Sequence, residues 1–568
     1  MLNEVQEVES GYVRSERVTF PSSEGSLLVA YLDSGPEEFW NGRLVLLAPK
    51  YGETKKNNLR LSYFLAANGF KVLRFDHTNH IGESEGNMDQ FTLPGAVSDI
   101  LDSLNYVENH FEPEESVLIA NSLSARCAYR AAALDPRISR LVCVVGVVNL
   151  QRTIQSIYQK DIIGTFLQGE HWGVIDILGF DIDSANFITR LAEENMHDLK
   201  GTLLDAEKIS QPVLHLFAAK DAWVDRSEVQ RVVSKTNGSI VEIEGAYHEI
   251  GENPDAAKTT MELVTRFCQE GLAEESKALR VPDKKCVIAQ NRKERNQLRQ
   301  MYTLKETEHQ FWDGYLGKFG TIEQASVYGD YFEKIRMLLG TIRERDVILD
   351  AGCGNGFLGL ALLRAIDAAQ LAKSDFPSCF TYFGIDLTPG GLRKAYVRQT
   401  ELKIQMMRER FSSISDATFA YQRLDFDRLS SAPDSDVSVR LPFADESVDK
   451  ICSSLVVSYL KNPVLCVREM RRVLKVGGTI VLSSMKPDCD LTVLFHEFIS
   501  HEADEGKLAE EAQQLLGAAG RIKIKEQCGL YGFYSEQELI SMVEEAGFTA
   551  FDTLRSLGNQ ANVIRVTK

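Results

Sequence analysis

The chain has 568 residues, 44% of them hydrophobic and 25% charged, with a formal net charge of -18. That length exceeds what one hydrophobic core serves; at roughly 150 residues per domain, with large α/β domains lowering the number, two domains are expected. The composition excludes disorder and fibres, and the acidity, with no basic stripe, excludes a duplex nucleic-acid binder.

In chain order, Arg43 to Ala48 reads as a buried strand, Leu59 to Ala67 as a helix and Lys71 to Phe75 as a strand. Leu93 to Phe111 is helical, Ser116 to Ala120 a strand, Ala125 to Leu134 a helix and Arg140 to Val145 a strand. Short apolar β-branched runs alternating with helices predict a parallel sheet covered on both faces. From Gln151 to about Leu204 the rhythm stops, which predicts a lid inserted between strands; strands resume at Val213 to Ala218 and Ile240 to Ile243. Residues 271–300 are polar and charged and read as a linker, helical towards its end. A helical stretch rich in aromatics follows (Tyr302, Phe311, Trp312, Tyr315, Tyr331, Phe332), and a second strand-helix alternation begins at Asp346. The expected domains are 1–270, the linker, and 301–568, both domains of the α/β class.

The ten cysteines form no CxxC and no Cys/His pair has zinc spacing, so no metal site is expected and free thiols in a reducing compartment are. The segment MLNEVQEVES is polar and unlike a signal peptide. The most apolar run, Leu141 to Val148, is far short of the ~20 residues that span a bilayer. The expectation is a cytoplasmic enzyme with no membrane span and no nucleic-acid partner. Nothing in the sequence bears on oligomeric state.

Strand Val117 to Ala120 runs into Asn121-Ser122-Leu123-Ser124 and then a helix. A serine in so tight a turn fits a nucleophile elbow, although Ala120-x-Ser122-x-Ser124 replaces the usual GxSxG. The ordinary role of such a serine is a helix N-cap. Chain order supports catalysis: Asp221 follows one later strand and His248 the next, as Ser, Asp, His triads of this fold require. Asp225 is the rival acid; His77 and His80 are rival bases that precede the serine. An oxyanion would be held by the backbone N–H of Leu123 and one from the loop Pro49-Lys50-Tyr51. Proline has no N–H, leaving Lys50 or Tyr51 as donor.

The segments VLIANSLSARCAYR, VVGVVNL, AAKDAWVDRSEV and AYHEIGEN resemble the acyltransferase of bacterial bioluminescence over roughly residues 15 to 270. The resemblance implies an α/β-hydrolase that releases a long-chain acyl group from acyl carrier protein. It places the nucleophile on Ser122, the acid on Asp221 and the base on His248.

In the second half, a strand ends in Asp350-Ala351-Gly352-Cys353-Gly354-Asn355-Gly356 before a helix. The glycines permit tight turning and close approach of a ligand. Gly354 to Gly359 also fits the dinucleotide pattern GxGxxG, but Asp350 would repel a pyrophosphate and attract the ammonium of S-adenosylmethionine. Asp386, followed by Leu387, suits ribose hydroxyls; Asp425, followed by Phe426, suits the adenine amino group, with Asp427 as its alternative. With LPFADESVD and LKVGGTI downstream, this set resembles the Rossmann-like class I methyltransferases of ubiquinone and menaquinone biosynthesis over about residues 300 to 568. That resemblance implies S-adenosylmethionine as cofactor and a small-molecule methyl acceptor. His496, Glu497 and His501 are candidates for the acceptor site, although a polar helix face accounts for them as well. The functional expectation is an acyl thioesterase or acyltransferase fused to a methyltransferase, in fatty-acid or polyketide-type metabolism. The alternatives are a silent hydrolase half used for docking, or a methyl acceptor unrelated to the acyl group.

Overall fold

The computed structural model describes residues 13–158, 160–269, 278–302, 308–318, 326–371, 379–409, 417–429, 440–487, 489 and 520–568. The chain forms two units. The first holds residues 1–302 and 520–529, the second residues 303–519 and 530–568.

In the first unit the apolar runs become strands β1 (Arg14–Pro21), β2 (Leu27–Ser34), β3 (Arg43–Ala48), β4 (Lys71–Phe75), β5 (Glu115–Asn121) and β6 (Ile138–Val144). A small antiparallel hairpin follows, β7 (Val174–Ile177) with β8 (Phe180–Asp183), and then β9 (Pro212–Ala218) and β10 (Asn237–Ile243). The main sheet runs β1-β2-β4-β3-β5-β6-β9-β10. It is parallel from β4 to β10; β1 and β2 pair antiparallel with each other, and β2 antiparallel with β4. Central strands such as β3 are apolar at nearly every position because helices cover both faces, and two buried clusters flank the sheet. This is the α/β-hydrolase architecture. Residues 151–204 are mostly helical: Leu150–Tyr158, Ile162–Leu167, Ser184–Glu193 and Leu199–Ala206 surround the β7–β8 hairpin.

Within the polar stretch 271–300, a helix spans Lys284–Met301 and belongs to the first unit. Asp283 caps it, accepting from the Lys285 N–H. Its anchor is ionic: Glu294 accepts two hydrogen bonds of 2.7 Å from the fully buried Arg74 guanidinium, which also pairs with buried Asp33. Residues 520–529 also pack into this unit. Buried Lys56 pairs with Glu526 at 3.0 Å, and Arg299 donates to the Gly529 carbonyl at 2.8 Å.

The second unit is built on β11 (Val347–Ala351), β12 (Thr381–Asp386), β13 (Thr418–Arg423), β14 (Val448–Ser453), β15 (Leu474–Met485), β16 (Phe551–Ser556) and β17 (Ala561–Thr567). The sheet order is β13-β12-β11-β14-β15-β17-β16, parallel except for β17, which is antiparallel to both neighbours. That is the Rossmann-like methyltransferase order, with the chain crossing over between β11 and β14. No described helix is long and apolar enough to cross a membrane.

Candidate active sites

Ser122 follows β5 with φ of +51°, in the left-handed region that side chains avoid. Its peptide is pinned on both sides: its N–H donates to the Val144 carbonyl at 3.0 Å and its carbonyl accepts from Val147 at 2.9 Å. Crowding explains the small residues here. A Cβ on Gly146 would lie 2.7 Å from that of Ala125. The following helix, Ser124–Leu134, has no side-chain N-cap, so Ser122 does not serve as one. Its hydroxyl instead lies 2.8 Å from His248 Nε2, and His248 Nδ1 lies 2.9 Å from Asp221 Oδ2. The other Asp221 oxygen accepts from the Trp223 and Val224 N–H groups at 2.8 and 3.2 Å. The Trp223 ring stacks on the imidazole at 4.4 Å. The backbone N–H groups of Leu123, Lys50 and Tyr51 meet no acceptor among the described residues.

In the second unit a cavity of about 820 Å³ opens beyond the carboxyl ends of β11 and β12. Asp350, Gly352, Gly354, Asp386, Leu387, Asp425 and Phe426 all line it. Gly356 does not: its φ of +82° lets the turn close, and a Cβ there would strike Gln399 and Ala395 of the helix Pro389–Glu409. Asp350 accepts from the Tyr382 hydroxyl at 2.7 Å, and burial pushes its pKa up to about 7. Asp386 accepts from the Gly354 N–H at 2.8 Å and from Thr388, while burial pushes its carboxyl up. Asp425 and Asp427 both face the cavity; Asp425 also caps the turn Phe426–Arg428, and Asp427 accepts from the Lys461 N–H at 2.8 Å. A cavity with buried carboxylates at its glycine loop fits a cationic ligand that carries hydroxyls.

The profile described as acyl transferase matches residues 41–269, and that described as a methyltransferase domain matches residues 342–550. An acyl transferase of Photobacterium phosphoreum is 30% identical over 228 residues, covering 39% of this chain and 73% of that protein. The chain belongs to the acyl transferase family. A second member, from Photobacterium leiognathi, is 32% identical over 226 residues, covering 36% of this chain and 70% of its own. A solved structure of Est1E from Butyrivibrio proteoclasticus with bound ferulic acid is similar to 45% of this chain and all of that one, at 18% identity and a TM-score of 0.37. This acyl transferase thus carries a methyltransferase domain on the same chain. The pair is an enzyme fusion with an acyl-related role and a methylating role, and the methyl donor typical of the second domain is S-adenosylmethionine.

The rival residues have other partners. Asp225 caps the helix Arg226–Val233 and pairs with Arg152 at 2.6 Å. His77 lies 3.3 Å from Asp99, and His80 accepts the Gly52 N–H at 3.0 Å. His496, Glu497 and His501 lie outside the described residues. Trp312, Tyr315 and Phe332, which the sequence left open as cover for the cofactor or as helical core, line the cavity; sequence reasoning did not single out Tyr328, Phe357 and Tyr459 beside them. Nor did it find Trp223, whose one signal was its place two residues after Asp221.

Proposed function

We propose that the acyl transferase half of this chain cleaves an acyl thioester through Ser122, His248 and Asp221, and that the other half methylates the released product. The observation behind the first step is the unbroken chain of contacts from Ser122 Oγ through the imidazole to Asp221, with the serine held at positive φ. His248 Nε2 takes the hydroxyl proton as Ser122 Oγ attacks the thioester carbonyl. Asp221 holds the imidazole in the tautomer that this requires, and the stacked Trp223 face favours the imidazolium that forms. The oxyanion lies against the Leu123 N–H and that of Tyr51, or of its neighbour Lys50. The imidazolium then protonates the departing thiolate. Water or another acceptor releases the acyl group from Ser122. Acyl carrier protein is the proposed donor, in fatty-acid or polyketide-type metabolism.

For the second step, Asp350 would hold the ammonium of S-adenosylmethionine, Asp386 its ribose, and Asp425 or Asp427 its adenine. The Gly354 N–H that a dinucleotide pyrophosphate would need is already taken by the Asp386 carboxylate, which favours S-adenosylmethionine over NAD. That cofactor supplies an activated methyl group, and the protein's part is mainly orientation. A carboxylate released at Ser122 is already a nucleophile and needs no base, so it is the proposed methyl acceptor.

The test is to incubate the protein with an acyl thioester and methyl-labelled cofactor. A labelled methyl ester that vanishes in Ser122→Ala and returns when free acid is supplied supports this order. Label on a carrier-bound chain in that variant refutes it.

A further inference from the structure

The loop after β3, Pro49 to Gly52, is tied to the surrounding machinery at each of its residues. The Pro49 carbonyl accepts from the hydroxyl of Ser124, two residues past the nucleophile. The Lys50 ammonium binds Glu249, the neighbour of His248, and Glu53 at 3.2 Å. The Tyr51 hydroxyl donates to the Ile177 carbonyl of the β7–β8 hairpin at 3.2 Å, and its ring meets Phe180 edge-on. The Gly52 N–H donates to His80 Nε2 at 3.0 Å. The Lys50 and Tyr51 N–H groups, among the described residues, meet no acceptor on the protein in this stretch of loop.

A peptide N–H can stabilise an oxyanion only if its plane is fixed before the reaction. The Tyr51 N–H lies in the Lys50–Tyr51 peptide, and the next peptide, between Tyr51 and Gly52, is anchored by the Gly52 N–H, so Tyr51 is held from its C-terminal side. Gly52 has φ of +78°, a Cβ there would lie 3.0 Å from the Phe180 ring, and glycine is otherwise the freest residue of the chain. We infer that His80 is a positioning residue for acyl transfer: by accepting the Gly52 N–H it locks the loop so that the Tyr51 N–H stays turned to the oxyanion. This rests on the reading of Ser122 as nucleophile.

The surroundings suit that role. His80 is buried between Phe91 at 5.0 Å, Tyr51 at 5.8 Å and His77 at 6.2 Å. Burial, and then His77, push its pKa down to about 3, so the ring is a neutral acceptor at any working pH. An accepting Nε2 puts the proton on Nδ1. A buried histidine of this kind acts on the nucleophile only through the loop.

The test compares His80→Gln with His80→Asn, using a decanoyl thioester of pantetheine. The Gln amide reaches the Nε2 position and can accept the Gly52 N–H; the Asn amide reaches only as far as Nδ1. We expect His80→Asn to lower kcat about 10–100-fold with KM within about threefold, and His80→Gln to restore most of the loss. Both variants should melt within a few degrees of each other. Should His80→Asn fail to fold, His80→Leu, which fills the apolar pocket without an acceptor, takes its place with the same expected loss. Equal kcat in the Gln variant and either other variant overturns the inference. Wild-type turnover that persists in Ser122→Ala overturns the underlying reading instead.

Discussion

Ser122 and Asp350 both stand where a parallel strand gives way to a tight turn and a helix, yet the two turns are strained in different currencies. In the first unit a side-chain-bearing residue takes the positive φ and is pinned from both sides, so the backbone is held in a conformation that costs about 1–2 kcal/mol. In the second, Gly352, Gly354 and Gly356 take the positive φ values without that penalty, and the unfavourable term is electrostatic: Asp350 is buried and its pKa is pushed up to about 7. On the proposed reading, the strained serine makes a bond and the carboxyl stripped of water receives a cation. The same strand-turn-helix element serves either end, depending on which residue stands at its tip.

The sharpest way to break this comparison is to remove the nucleophile. Ser122→Ala should lower acyl transfer by roughly 10⁴–10⁶-fold while calorimetric affinity for S-adenosylmethionine stays unchanged. Asp221→Asn should cost about 10⁴-fold in kcat, because His248 then loses the partner that fixes its tautomer. On the other side, Asp386→Ala should weaken cofactor binding by about 1.5–3 kcal/mol through loss of charged hydrogen bonds, with acyl transfer intact; unchanged affinity, or tight NAD binding by the wild type, would exclude the assignment.

A pH titration sharpens the contrast further. Asp350 is raised by burial, so it is neutral below about pH 7 and charged above. A cationic ligand favours the charged form. Affinity for S-adenosylmethionine should therefore rise with pH up to about 7 and level off above it, with proton release on binding near neutrality; Asp350→Asn should flatten the profile. The smallest effect expected is at Asp225. Asp225→Ala should lower stability by about 1 kcal/mol, as loss of a helix cap does, and leave kcat for acyl transfer near wild type. A large loss of kcat there would make Asp225 the acid after all.

Much of this was legible because it follows from local pattern. Apolar runs gave the parallel strands their places, and the order of Ser122, Asp221 and His248 along the chain is imposed by the sheet that carries them. What was not legible depends on partners remote in sequence. The helix Lys284–Met301 has no clear apolar stripe; its buried face is held by Glu294 against Arg74, an ion pair between residues more than two hundred positions apart. Strand β1 carries the mixed pattern of a sheet edge, RSERVTFP, and β2 beside it, LLVAYLDS, is buried although it ends in the polar Asp33 and Ser34. Gly356 has the spacing of a ligand-contacting glycine, but its lack of a side chain serves helix packing instead.

The ion pair between Lys56 and Glu526 sets an order of events during synthesis. Lys56 is laid down early and ends up buried, yet its carboxylate leaves the ribosome only after roughly two hundred residues of the second unit have been made. At about 5–20 residues per second, the first unit waits on the order of ten seconds or longer for one of its own parts. A chain cut after Tyr302 never receives it. Its lysine must then stay wet or be buried unpaired, which costs about 3–5 kcal/mol for a pair broken at one partner. A nascent first half is therefore unfinished, and a fragment ending at residue 302 should be expressed together with residues 520–529 to be complete.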